Sequence, residues 1–403
     1  MTGRVRRRIG LLTLPLEINY GGIMQAVALY HFLSSNQDRE VVLLEREPPF
    51  PRPGRIRRLA SAALRRQPGL TSLHRLLAEQ PQGSGWAARL RSCRPARWLH
   101  GRVRVALWRR RRELLRSFHQ RLIPLRSGPL ADTQDMAEAV RRFGIDTLIV
   151  GSDQVWRLDY LHEAARADFF FGFAPSPTVR KISYAASFGH GHWAFPEHTA
   201  QIKPLLARFD AVSVREASGV EICAREFGRH NARHVLDPTL LIDPSFYETI
   251  AAPAGRKSGK TLLSYVLDTG ADRSLVSREL LAALGPDYAV RPLALDVGTP
   301  APDVPGWLRA FMDADFVVTD SFHGMVFSII FRKNFIVIMN RNRGAERFTS
   351  LLDQLGLRDR LVGDPAPDLL HRLARTPIDF EPVARKLEEL RAASAAFLRQ
   401  ALA

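Results

Sequence analysis

The chain has 403 residues, 46% of them hydrophobic and 25% charged, with a formal net charge of +17. That length exceeds one ordinary core, so two domains are expected, and the composition is that of a soluble globular protein rather than a fibrous or disordered one. The charge is local: residues 51–126 hold twenty arginines against Glu79 and Glu113 while the remainder is close to neutral, and that segment carries no zinc-finger, RNP or helix-turn-helix signature, so nucleic acid is not the expected partner.

In chain order, Arg4–Arg8 followed by Ile9–Leu16 mimics a leader peptide. Pro15 and Glu17 end the run without a small-residue cleavage site, so Val5–Leu14 reads as a first strand. The loop Pro15–Gly22 leads into a helix over Ile23–Ser35 and a strand at Val41–Leu44. Gly21 and Gly22 before a helix let backbone approach a phosphate or sugar, but GxGxxG and the P-loop lysine are both absent. Pro48–Gly54 opens the basic insertion. Val103, Leu107, Leu114, Phe118 and Leu122 fall near one helical face there, a stripe suited to an anionic membrane surface or to packing on the domain.

Ile145–Val150, Lys181–Ala185 and Ala211–Val214 are further apolar strands, and each stops at polar residues. Strands alternating with helices predict a parallel sheet, whose carboxyl ends share one edge. Gly21, Ser152, Asp153, Ser187 and Arg215 are therefore expected to ring one crevice. Residues 251–259 read as a linker, and the second half repeats the alternation. The architecture is α/β: two doubly wound Rossmann-like domains, 1–250 and 260–378, facing a cleft, with a closing helix over 379–403. Cys93 and Cys223 lie far apart with no CxxC pair, which suits a reducing compartment and predicts neither a disulfide framework nor a metal site. No apolar run approaches a membrane span.

The most informative stretch is Asp315–Phe331. Phe316-Val317-Val318 is a buried strand, Thr319-Asp320-Ser321 stops it, and the apolar pattern from Met325 begins a buried helix. Asp320, Ser321 and His323 thus sit at a strand's carboxyl end, where open α/β sheets bind ligands and free helix N–H groups attract anions. His323 is the side chain best tuned for proton transfer near neutral pH. Arg341, Arg343 and Arg347 cluster at the next strand-to-helix junction.

Six blocks, in order and at fitting spacing, make the resemblance specific: Asn19–Gln25, Gly151–Trp156, Ser183–Gly189, Ser213–Glu216, Leu236–Thr239 and Thr319–Gly324. Together they resemble the polysaccharide pyruvyl transferase family over roughly residues 9–355. The resemblance implies two lobes similar to B-type glycosyltransferases. It implies transfer of a pyruvate ketal from phosphoenolpyruvate, as donor substrate and without a cofactor, to a sugar during cytoplasmic assembly of exopolysaccharide for the cell envelope, often on a lipid-linked acceptor. Some members carry arginine where this chain has Ser321, a departure for which Arg341, Arg343 or Arg347 would compensate.

The residues suit that chemistry independently. A donor with carboxylate and phosphate matches arginine forks and helix N-termini. On this reading His323 is the general acid, Asp153 or Asp320 the base or the group orienting His323, and Arg215 the donor's anion partner. Gly21, Gly22, Ser152, Ser187, Ser321, Arg343 and Arg347 complete the expected binding set. Two alternatives stay open: a nucleotide-sugar glycosyltransferase of the same architecture, and a catalytically inactive sugar-binding member.

Overall fold

The computed structural model describes residues 6–17, 19–47, 94–174, 176–255, 259–268, 272–293, 301–339 and 344–403, with side chains from residue 107 in the helix 94–122 and from residue 275 in the helix 272–284. Insertion residues 51–93, the linker positions 256–258, and Arg341 and Arg343 lie outside the described residues.

The first lobe runs β1 (Arg7–Leu12), α1 (Tyr20–Ser34), β2 (Arg39–Arg46), α2 (Arg94–Leu122), β3 (Arg126–Leu130), α3 (Thr133–Phe143), β4 (Thr147–Val150), β5 (Arg180–Ala186), α4 (Thr199–Ala207), β6 (Ala211–Val214), α5 (Ala217–Phe227), β7 (Arg233–His234) and α6 (Pro244–Ile250). The second runs β8 (Lys260–Tyr265), α7 (Asp272–Leu284), β9 (Tyr288–Pro292), α8 (Val304–Asp313), β10 (Phe316–Thr319), α9 (Phe322–Ile330), β11 (Asn334–Ile338), α10 (Glu346–Leu355), β12 (Leu361–Val362), α11 (Pro367–Arg375) and α12 (Phe380–Ala401).

Every strand pairing is parallel. The first sheet has the order β3-β2-β1-β4-β5-β6-β7 and the second β12-β11-β10-β8-β9. Both are doubly wound, and the order reverses between β1 and β4 in one and between β8 and β10 in the other. Central strands are apolar throughout because helices cover both faces: β4 and β10 are buried along their whole length.

Three strands at the sheet ends escape the sequence pattern: β3 carries Gly and Pro, β7 is the polar pair Arg233-His234, and β12 is only two residues long. Helix α1 starts at Tyr20 rather than Ile23, so both glycines belong to its first turn. In α2 the expected stripe is corrected by one position: Leu115 and Phe118 are buried against the lobe, whereas Leu114 is 40% exposed. Val103 is among the side chains outside the description.

One apolar cluster spans both lobes, taking in Tyr20, Ile23 and Met24 from the first and Trp307, Phe311 and Phe327 from the second. Tyr20 stacks on Trp307 at 5.5 Å between centroids. Each such fully buried ring contributes about 1.5–3 kcal/mol, enough to hold the lobes together beside a polar cleft. Helix α12 crosses back to the first lobe, where Ser394 Oγ accepts from Leu236 N at 3.0 Å and Arg391 Nε donates to Leu240 O at 2.8 Å. No described helix is long and apolar enough to cross a membrane.

Candidate active site

The helices that follow the two switch-point strands β1 and β10 meet head to head. A Cβ added to Gly21 in α1 would lie 2.1 Å from His323 Nδ1 in α9, so glycine is required for the lobes to close at this contact. This corrects the role expected for the paired glycines. Gly21 seats His323, and a Cβ on Gly22 would meet only Asn19, at 3.1 Å. At Gly324 the missing Cβ lets α9 pack on Thr319, whose Oγ1 would be 2.3 Å away.

His323 is buried, and its Nε2 lies 3.7 Å from Asp237 Oδ2. That is an ion-pair distance rather than a hydrogen bond, and Nε2 has no hydrogen-bond partner among the described residues. Asp237 is the hub of the first lobe's edge. Its Oδ2 accepts from Ser152 Oγ at 2.9 Å and from Arg215 Nη1 at 3.0 Å, and its Oδ1 accepts from Thr239 N and Oγ1 at 3.0 and 2.7 Å. Burial pushes the Asp237 carboxyl up, but His323, then Arg215 and Thr239, outweigh it and hold the group well below the usual carboxylate range.

Arg215 sits among three carboxylates: Asp237, Glu216 Oε1 at 3.2 Å and Asp153 Oδ1 at 3.7 Å. Burial works against its cation, yet Glu216, Asp237 and Asp153 together hold its pKa above the ordinary value. Glu216, equally buried, is pushed up by that burial even with Arg215 beside it. The Phe322 ring lies under two guanidiniums, Arg215 at 4.5 Å and Arg347 at 5.6 Å. Arg347 is the odd cation. Its Nε donates to Gly344 O at 3.3 Å, and no carboxylate lies within ion-pair distance among the described residues. Burial, then the neighbouring Arg215, push it down to about 10.

The chain therefore brings His323, Arg215, Arg347, Asp153, Ser152 and Gly21 to one place. Asp153 holds a left-handed φ of 75° directly after β4, and Ala185, at the bulge in β5, a φ of 52°. Left-handed backbone at a non-glycine costs about 1–3 kcal/mol and clusters at functional sites. Other expected residues have structural tasks. Asp320 accepts from the Leu267 and Asp268 amides at 2.6 and 3.0 Å, anchoring the loop after β8. Ser321 caps α9 through Gly324 N at 3.3 Å; Ser187 Oγ accepts from Gly189 N at 3.1 Å within its turn and also reaches the Glu216 carboxylate of the cleft network. Arg343 lies outside the described residues.

Asp237, Glu216 and Phe322 were not selected from sequence as site residues. For Asp237 the signal was present: a carboxylate beside Pro238, just after the apolar pair Val235-Leu236, obeys the strand-end rule that singled out Arg215.

The helices α1, α5, α9 and α10 all begin around this cleft, and Ala217 N at the start of α5 donates to Ser350 Oγ of α10 at 3.0 Å. Helix N-termini and two guanidiniums favour an anion, and the imidazole between them can move a proton.

Among solved structures, the chain is similar to the UDP-GlcNAc 2-epimerase from Neisseria meningitidis bound to UDP-GlcNAc, with 9% identity, TM-score 0.51, and coverage of 98% of this chain and 100% of that one. A putative UDP-N-acetylglucosamine 2-epimerase from Listeria monocytogenes matches at 10% identity and TM-score 0.48, over 97% and 91% of the chains. The first likeness is one of fold and agrees with two Rossmann-like lobes. No curated protein sequence matches the chain. The family model described as polysaccharide pyruvyl transferase matches residues 19–342, which hold all six blocks and every residue of the cleft network except Arg347, so the chain belongs to the polysaccharide pyruvyl transferase family.

Proposed function

We propose that this protein transfers a pyruvate ketal from phosphoenolpyruvate to a saccharide acceptor of a surface polysaccharide or of its lipid-linked precursor. The observation that carries the reading is His323, whose Nε2 is free of hydrogen bonds among the described residues and lies beside two buried guanidiniums at converging helix starts. Arg347, with no carboxylate at ion-pair distance among the described residues, binds the donor's anionic groups and supplies the cation that Ser321 does not, while Arg215 stays held by its three carboxylates beside the same Phe322 ring. Protonated His323 gives its proton to the methylene carbon of the donor, with the Asp237 carboxylate 3.7 Å from its Nε2. A sugar hydroxyl attacks the neighbouring carbon and passes its proton to Asp153. Phosphate leaves, and a second hydroxyl closes the ketal, its proton departing with phosphate or returning to His323. Three carboxylates around Arg215 stabilise the positive character that develops at the attacked carbon.

The test pairs binding with turnover. A ligand at 100 times its dissociation constant stabilises a fold by about 2.7 kcal/mol, so phosphoenolpyruvate is expected to raise the melting temperature and UDP-sugars are not. Phosphate release that depends on a saccharide acceptor then separates an active transferase from an inactive binder. A melting shift with UDP-sugars alone would instead favour a nucleotide-sugar enzyme.

A further inference from the structure

A second pocket opens at the carboxyl ends of β1 and β2, away from the His323 network. It is a half-open cavity of about 70 Å³, walled by the loop after β1 (Leu14, Leu16, Glu17), by Arg112 and His119 of α2, and by Pro129 of β3. Carboxyl edges of open parallel sheets are where such folds take ligands. His119 is only 4% exposed, and its Nδ1 has no hydrogen-bond partner among the described residues. Burial, then Arg126 and Arg116, push this imidazole down to about 4, so at neutral pH it meets a ligand as an uncharged donor and acceptor.

The charges around the pocket are largely balanced. Arg112 pairs with Glu17, Arg126 with Glu45 at 3.4 Å, and Arg46 with Asp168 at 2.7 Å. Arginines already held by carboxylates leave little net field for a phosphate, unlike Arg347 in the cleft. They present many fixed donors and acceptors beside leucine and proline surfaces, which is the chemistry that hydroxyls and the C–H face of a sugar ring require. Buried hydrogen bonds link the pocket wall to the catalytic centre. Thr13 on its wall accepts from Gln25 Nε2 at 2.8 Å, the same nitrogen donates to Gly22 O at 2.9 Å, and Gly21 abuts His323. Gln25 Oε1, buried along this path, has no donor among the described residues.

We infer that this pocket binds an uncharged sugar ring of the acceptor and so delivers the neighbouring diol to His323. The inference deepens the transferase reading and rests on it for the word acceptor; the binding of a neutral glycoside stands separately. Saturation-transfer NMR on the full chain tests it, with methyl galactoside, methyl glucoside and methyl mannoside as probes and inorganic phosphate as the anionic control.

Pro129 is exposed, so Pro129→Trp fills the pocket without disturbing the core, and Arg112→Ala removes one polar wall; unchanged melting temperatures verify both folds. The expected result is saturation transfer to at least one glycoside, weakened about tenfold by each variant and left unchanged by His323→Gln. No transfer to any glycoside, transfer that survives both variants, or phosphate displacing the glycoside would overturn the inference. Loss of phosphoenolpyruvate binding in Pro129→Trp would overturn it as well, since the pocket would then serve the donor. If phosphoenolpyruvate fails to bind the parent while glycoside binding still depends on Pro129 and Arg112, the donor assignment falls and the sugar pocket stands.

Discussion

The two lobes turn the same kind of edge toward the cleft, the carboxyl ends of a parallel sheet, yet they furnish it differently. In the first lobe Ser152, Asp153, Arg215, Glu216 and Asp237 hold one another in a closed set of contacts at 2.9–3.7 Å. In the second lobe His323 and Arg347 lack such partners of their own among the described residues, and His323 lies against a carboxylate and a glycine across the cleft. The difference separates two tasks. A locked network keeps fixed charge in place without reorganising, whereas the groups that exchange a proton or grip an anion must stay underused until substrate arrives.

The comparison breaks most visibly at His323. His323→Gln removes the titrating proton at similar size and is expected to lower acceptor-dependent phosphate release by ~10²–10⁴-fold while phosphoenolpyruvate still raises the melting temperature. Activity within a few-fold of the parent would move the general acid to the first lobe, to Asp153 or Glu216.

Next in size is the hub of the locked network. Asp237→Asn leaves Arg215 short of a buried counter-charge, and breaking a buried pair costs about 3–5 kcal/mol, read as a lower denaturant midpoint. The pH dependence has a definite sign. The folded carboxyl lies below its ordinary 3.8, so its stabilisation is present above that pH and is lost as pH falls through the folded value. Melting curves of the Asp237→Asn variant should accordingly fall less steeply in acid than those of the parent.

Gly21→Ala tests whether the lobes truly share His323. The new methyl would stand 2.1 Å from His323 Nδ1, and overpacking of this kind costs about 1–3 kcal/mol. Because the added methyl also lies 2.6 Å from the His323 Cβ, the double variant Gly21→Ala with His323→Gly should recover part of the melting temperature without restoring activity. A Gly21→Ala variant that melts and turns over like the parent would mean that the lobes do not close on this contact.

His119 extends the comparison to the first lobe's second pocket. Its pKa is about 4 in the fold and 6.5 when unfolded, so stability is full above pH 6.5 and declines as pH falls toward 4, the unfolded chain taking up the proton. His119→Phe should flatten that part of the melting profile.

The smallest expected effect concerns the basic segment 51–126. If its arginines bring the enzyme to a lipid-linked acceptor, each one near an anionic surface adds about 1 kcal/mol before salt screening. Cosedimentation with anionic vesicles at physiological salt should then exceed that with neutral vesicles. Equal pelleting with both would assign α2 wholly to packing through Leu115 and Phe118.

Much of this was legible in the chain because local rules act within a few residues. Apolar runs ending in polar groups marked the strands and their carboxyl ends, which is enough to place Asp153 and Arg215 on the edge of one sheet and His323 on the edge of the other. The blocks carried the family, and Asn19–Gln25 placed Gly21 in the site. What the chain could not express is pairing across the cleft. That Gly21 exists for His323, that Asp237 faces the imidazole, and that Arg347 shares Phe322 with Arg215 are contacts between residues far apart in sequence. Asp320 and Ser321 look catalytic by position, yet backbone amides claim them, because a strand end and a helix start present unpaired N–H groups that the nearest side-chain oxygens satisfy first. Burial settled the rest: only the packed fold takes Arg347 and His119 out of water and so determines which charges persist and which are suppressed.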